Sequence, residues 1–200
     1  MNENGKTNMT VWVGLTTARL LQKMSEDHRK AEKSHVKGLE EKSMERRAAR
    51  IEGAALLAER WPTIETVVAD CIRARLAEPD LCGPWHALTN TEAARLALSG
   101  RWPGPMVPGV LTERNYSLPT TLAVGLRTAS WRVSEQALDL LERRGLVGAG
   151  PGLSGARLAE RNELAAILHS PGRIVRQALD RYGPVAATEA EADTAAQGGS

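Results

Sequence analysis

Between Arg127 and Leu158 the chain offers a polar segment, an amphipathic helix, a glycine stop and a Gly/Pro-rich reversal in close succession. That order constrains the fold more than any other part of the sequence. Val133, Ala137, Leu138 and Leu141 recur at helical spacing, so Arg132–Arg144 is expected to form a helix that buries one face. Gly145 stands where helices commonly end in left-handed backbone. Leu146-Val147 and Ala156-Arg157-Leu158 flank GAGPGLSG, and this arrangement predicts two short strands paired across a hairpin. Upstream, Leu118-Pro119 precedes a short helix, Thr120–Leu126, and Arg127–Ser130 is expected to be the turn between the helices.

Elsewhere the apolar residues point to a helical core. The chain has no Phe, two Tyr and five Trp, and its Val and Ile are too sparse for a large sheet, which leaves Leu and Ala as the main packing material. Two hundred residues, 42% hydrophobic and 25% charged, suit one globular domain with extensions or two small ones. No apolar run approaches the ~18–20 residues of a membrane span. The first residues lack the basic, apolar and small-residue regions of a secretion signal, so a cytoplasmic protein is expected, without a membrane partner. Cys71 and Cys82 then fit reduced thiols. All six Lys lie at or before Lys42 and every later basic residue is Arg, a codon bias rather than a functional signal. No internal repeat is evident.

The segments divide as follows. Residues 1–14 form a flexible lead. Residues 15–60 lack Pro and predict one long helix, with a seam of Leu21, Met24, Ala31, Leu39, Met44, Ala48, Ile51, Ala55 and Ala58 that slips near Gly38. Its second half alternates spacings of four and three like a coiled coil, so a second copy or the body should cover it. In the helical region 61–100, Ile64, Val67, Val68, Cys71, Ile72 and Leu76 mark one amphipathic helix, and Thr89 or Asn90 caps another over Thr91–Ser99. Residues 101–117 are a Pro/Gly-rich loop, 118–158 the segment described above, 159–182 the C-terminal helices broken at Ser170-Pro171, and 183–200 a disordered acidic tail.

The stretch from Leu118 to Leu158, about a fifth of the chain, resembles winged helix-turn-helix proteins of the GntR-like and MarR-like kind. The likeness rests on Leu118-Pro119, on Gln136-Ala137-Leu138 leading into Leu141-Glu142-Arg143-Arg144-Gly145-Leu146-Val147, and on the glycine-rich hairpin. Where those families place a glycine in the turn, this chain has Arg127-Thr128-Ala129-Ser130. The resemblance implies a winged helix-turn-helix with a small β-hairpin wing, so that with the long N-terminal helix and helical middle read from spacing a mainly α fold is expected. It also implies double-stranded DNA as partner, with the second helix in the major groove. Arg132, Ser134 and Gln136, with Ser130 and Trp131 just before, would face the bases, Arg127 and Thr128 the backbone, and Arg157 a phosphate. A homodimer is expected, because one recognition helix covers a short half-site.

Against this stands an ordinary solvated helix face. Glu135, Asp139 and Glu142 oppose phosphate, and Leu111–Tyr182 carries ten Arg against seven acids, a net of +3 within a chain of net +2. No nucleophile motif, P-loop or dinucleotide fingerprint occurs, so a non-enzymatic protein is expected. Cys71, Cys82 and His86 lack the close Cys pairs of structural zinc, and His28 and His35 are seam or surface residues, so neither metal nor cofactor is expected. The sequence indicates no small-molecule effector. The leading expectation is a DNA-binding transcriptional regulator of bacterial, phage or mobile-element origin. The alternatives are a helical scaffold or adaptor, and an accessory factor for replication, recombination or packaging.

Overall fold

The computed structural model describes residues 5–41, 45–60, 62–98, 110–147 and 152–183. Residues 101–109, the hairpin apex 148–151 and the tail from 184 onward, each expected above to be loop or tail, lie outside them. The order is β1 (Lys6–Gly14), α1 (Leu15–Glu41), α2 (Arg46–Arg60), α3 (Ile64–Leu76), α4 (Asn90–Leu98), β2 (Leu111–Pro119), α5 (Thr120–Arg143) and α6 (Gly155–Ala166). A last helix, α7, covers 171–183. The described chain is mainly helical, with one two-stranded antiparallel sheet.

The sheet is the centre of the fold. β1 and β2 pair over their whole length, Lys6 opposite Pro119 and Gly14 opposite Leu111. Both strands alternate: Val11 and Val13 on β1, and Tyr116 and Leu118 on β2, are buried, while most of their neighbours are exposed or half-buried. The inner face rests on Ala18 and Leu21 of α1, Val67, Val68, Cys71 and Ile72 of α3, Leu126 of α5, and Ile174, Val175, Ala178 and Leu179 of α7. Each Val, Leu or Ile among them contributes about 1.5–3 kcal/mol on burial. A second cluster joins Trp131, Ala137, Leu138 and Leu141 of α5 to Leu146 and Leu168.

An internal repeat organises the first cluster, contrary to the expectation of none. Each strand runs straight into a helix, and each helix begins with its N–H donated to the residue before the other strand: Leu15 to the Val110 carbonyl (3.0 Å), Thr120 to the Gly5 carbonyl (2.9 Å). At this constant offset of 105 residues, set by Lys6 and Leu111 as strand starts, buried Val11, Val13, Ala18 and Leu21 match buried Tyr116, Leu118, Ala123 and Leu126. The helix that completes each half repeats too, two residues further apart. Thr63 and Ser170 accept from the backbone N–H three residues on, and Val67, Val68, Cys71 and Ile72 match Ile174, Val175, Ala178 and Leu179. The halves share few identical residues, because what repeats is the pattern of burial.

Several segment expectations are corrected. The lead 1–14 contains β1, and the loop 101–117 contains most of β2. These strands pair across about a hundred residues, so no local hairpin signal announces them. The long helix of 15–60 is two helices, and α2 packs back on α1. Ala49 is fully buried there, and Gly53 allows the close approach: a Cβ on it would lie 3.1 Å from Val36 Cγ2. The turn at Arg127–Ser130 is absent, because α5 runs unbroken from Thr120 to Arg143. No glycine or proline stands in those four residues to stop it. Gly145 does end the helix region, at φ +62°. Ala156–Leu158, expected as the second wing strand, belongs to α6, and Leu146-Val147 is not a strand. α3 and α4 lie where the apolar spacing and the Thr89 cap place them. Thr89 and Glu92 form a reciprocal capping box, Glu92 N–H to Thr89 Oγ1 and Thr89 N–H to Glu92 Oε2.

Candidate nucleic-acid interface

The residues first assigned to DNA contact do not share one open surface. Thr128, Ser130, Trp131 and Ser134 are buried. The Ser130 hydroxyl donates to the His169 carbonyl (2.6 Å), and the His169 N–H donates to Ser134 Oγ (2.9 Å), so the two serines hold the connection that leads into α7. Arg132 makes a two-pronged pair with Glu92, at 2.6 and 3.1 Å. Arg157 is exposed but donates to the Arg144 carbonyl (2.9 Å). Arg127 and Gln136 are exposed. Side chains of α4 reach the helix expected to enter the groove. Arg95 of α4 pairs with Asp139 (3.0 Å) and Glu142, and its guanidinium lies 5.3 Å from the centre of the Trp131 ring. Arg132 and the Thr89 cap together draw the Glu92 carboxyl down to about 2. These acids therefore meet arginines of the same chain, which a phosphate would have to displace.

A different surface carries the chemistry of base recognition. The alternation that buries one face of the ribbon turns Lys6, Asn8, Thr10 and Trp12 of β1 outward, with Glu113, Asn115 and Ser117 of β2. Register places Asn8 opposite Ser117, Thr10 opposite Asn115 and Trp12 opposite Glu113, so these side chains form adjacent cross-strand pairs. All but the half-buried Ser117 are exposed, Trp12 to 48%. Outward residues on one strand are about 7 Å apart, close to two base steps of about 3.4 Å each.

The types are those that distinguish base edges. The amides of Asn8 and Asn115 can donate and accept toward adenine N6 and N7, and Lys6 can donate to guanine O6 and N7. Glu113 can accept from cytosine N4, Thr10 and Ser117 can serve either way, and the Trp12 ring offers apolar contact to a thymine methyl. Arg176 Nη1 donates to the Trp12 carbonyl (2.7 Å), which ties α7 to β1. A solvated face is common on antiparallel sheets. What sets this one apart is its mounting: a bare two-stranded ribbon, marginal alone, is held from beneath by residues of α1, α3, α5 and α7.

Sequence inspection missed this surface although its signal was present. Met9, Val11 and Val13 alternate with Asn8, Thr10 and Trp12, a period of two. Among the described residues no group of three or more His, Cys, Asp or Glu is placed to hold a metal, and no helix is long and apolar enough to cross a membrane. Compared with protein-family models, curated proteins and solved structures, the chain matches none.

Proposed function

We propose that this protein binds duplex DNA by laying the β1–β2 ribbon in the major groove, and that it acts there as a transcriptional regulator. The observation that carries the reading is the ribbon's outward row of Lys6, Asn8, Thr10, Asn115 and Ser117 on a support of four helices. The major groove, about 12 Å wide, admits a two-stranded ribbon as readily as a helix. Lys6 is an exposed cation at the end of this face, and phosphate contacts by such cations make affinity fall with salt.

A winged-helix contact through Arg132–Arg144 would need the Arg132–Glu92 and Arg95–Asp139 pairs to open. The ribbon needs no such rearrangement. The deciding experiment is titration of labelled duplex DNA at two salt concentrations, in which binding that weakens steeply with salt is expected. Absence of duplex binding at low salt would remove the proposal. It would leave the adaptor reading, favoured by the α1–α2 hairpin and its Ile51, which is 65% exposed.

A further inference from the structure

The internal repeat has a consequence for the kind of DNA site, resting on the ribbon reading above. We infer that one chain supplies both halves of the reading surface, and that it recognises a non-palindromic duplex in a single orientation. Both strands of the ribbon come from the same chain, with the strand-to-helix junctions Gly14–Leu15 and Pro119–Thr120 at opposite ends. The expectation of a second copy rested on one recognition helix per chain, and a ribbon already complete within one chain does not require it.

The repeat is kept in the buried positions and lost in the outward ones. At the offset that matches Val11 with Tyr116 and Leu21 with Leu126, Lys6 corresponds to Leu111, Asn8 to Glu113, Thr10 to Asn115 and Trp12 to Ser117. None of these pairs presents the same groups. Asn8 both donates and accepts, whereas an ionised Glu113 only accepts. Trp12 offers a large apolar ring where Ser117 offers a hydroxyl. Two identical half-sites related by a dyad present the same base edges to both halves of the ribbon, and these side chains cannot satisfy both alike. An asymmetric site, favouring Lys6, Asn8 and Ser117 on one side of the central Thr10–Asn115 pair and Trp12 and Glu113 on the other, matches them.

The test is selection of bound duplexes from a random library with the full chain, followed by native mass spectrometry of the complex with the selected duplex. Expected are a motif without dyad symmetry and one chain per duplex. Asn8→Ala and Glu113→Ala should each relax preference at a different base pair, on opposite sides of the centre, by about tenfold or more. Both positions are exposed, so the fold should be undisturbed, and circular dichroism checks this. A palindromic motif, two chains per duplex, or both variants relaxing the same base pairs would overturn the inference while leaving DNA binding by the ribbon intact. Binding without sequence preference would overturn it as well. Failure to bind any duplex would overturn both readings together.

Discussion

Ser130 and Ser134 lie one helical turn apart on α5, and both hydroxyls are occupied by the backbone of His169. By residue type they suit phosphate or base contact, yet burial gives them a structural task. Ser134→Ala leaves the His169 N–H without its acceptor and should destabilise the protein by about 1–3 kcal/mol, read from urea unfolding. DNA affinity of the folded protein should be unchanged, and a loss of affinity without a loss of stability would return Ser134 to the interface. Glu92 gives a pH-dependent counterpart. Its carboxyl is held near 2 rather than the usual 4.5 by Arg132 and the Thr89 cap. A depressed pKa contributes stability that is present above 4.5 and lost as pH falls toward 2. Wild type should therefore lose more stability than Glu92→Gln between about pH 6 and about pH 3. Equal losses in the two proteins would show that the pair does not anchor α4.

Among the elements, α5 separates two accounts of the chain. A turn at Arg127–Ser130 would welcome a glycine, whereas an unbroken helix is weakened by one. Arg127 is exposed and in mid-helix, so Arg127→Gly should lower stability by about 1 kcal/mol; no change, or a gain, would point to a turn. Helices were the legible part of this sequence. The spacing of Val67, Val68, Cys71 and Ile72, the Thr89 cap and the Gly145 stop are all local signals, and each has its counterpart in the structure. Strands were only faintly legible: Met9, Val11 and Val13 alternate with outward residues, but β1 and β2 acquire their state from each other. Residues such as Lys6, Asn8, Glu113 and Asn115 favour a strand only once a partner and a buried inner face exist. The break between α1 and α2 was legible only as a slip of the seam near Gly38, since the return of α2 onto α1 depends on a long-range fit at Ala49 and Gly53.

At the scale of the molecule, two similar halves meet in one ribbon, and polar clusters fix them together. Arg75 of α3 is buried, pairs with Asp80 at 2.6 Å, and reaches Gln177 of α7 at 3.4 Å, while Glu78 accepts from Arg181 (2.7 Å) and from the Tyr182 hydroxyl (2.6 Å). Arg75→Ala should cost about 1–3 kcal/mol in thermal or urea unfolding, and a negligible effect would mean that apolar packing alone joins α3 to α7. This joint holds the support under the ribbon, whose outward face is the proposed DNA surface. The alternation on β1 was legible but the assembled site was not, because its two rows lie about a hundred residues apart and become neighbours only in the paired register. The most direct measurement compares duplex binding by Thr10→Ala/Asn115→Ala, an exposed cross-strand pair at the centre of the ribbon, with Arg127→Ala/Gln136→Ala, exposed on α5. On the selected duplex we expect the ribbon variant to bind about 30-fold more weakly or worse, at about 1–3 kcal/mol for each of its two base contacts, and the α5 variant to bind as wild type does. Loss of binding in the α5 variant with the ribbon variant unaffected would contradict a ribbon in the groove.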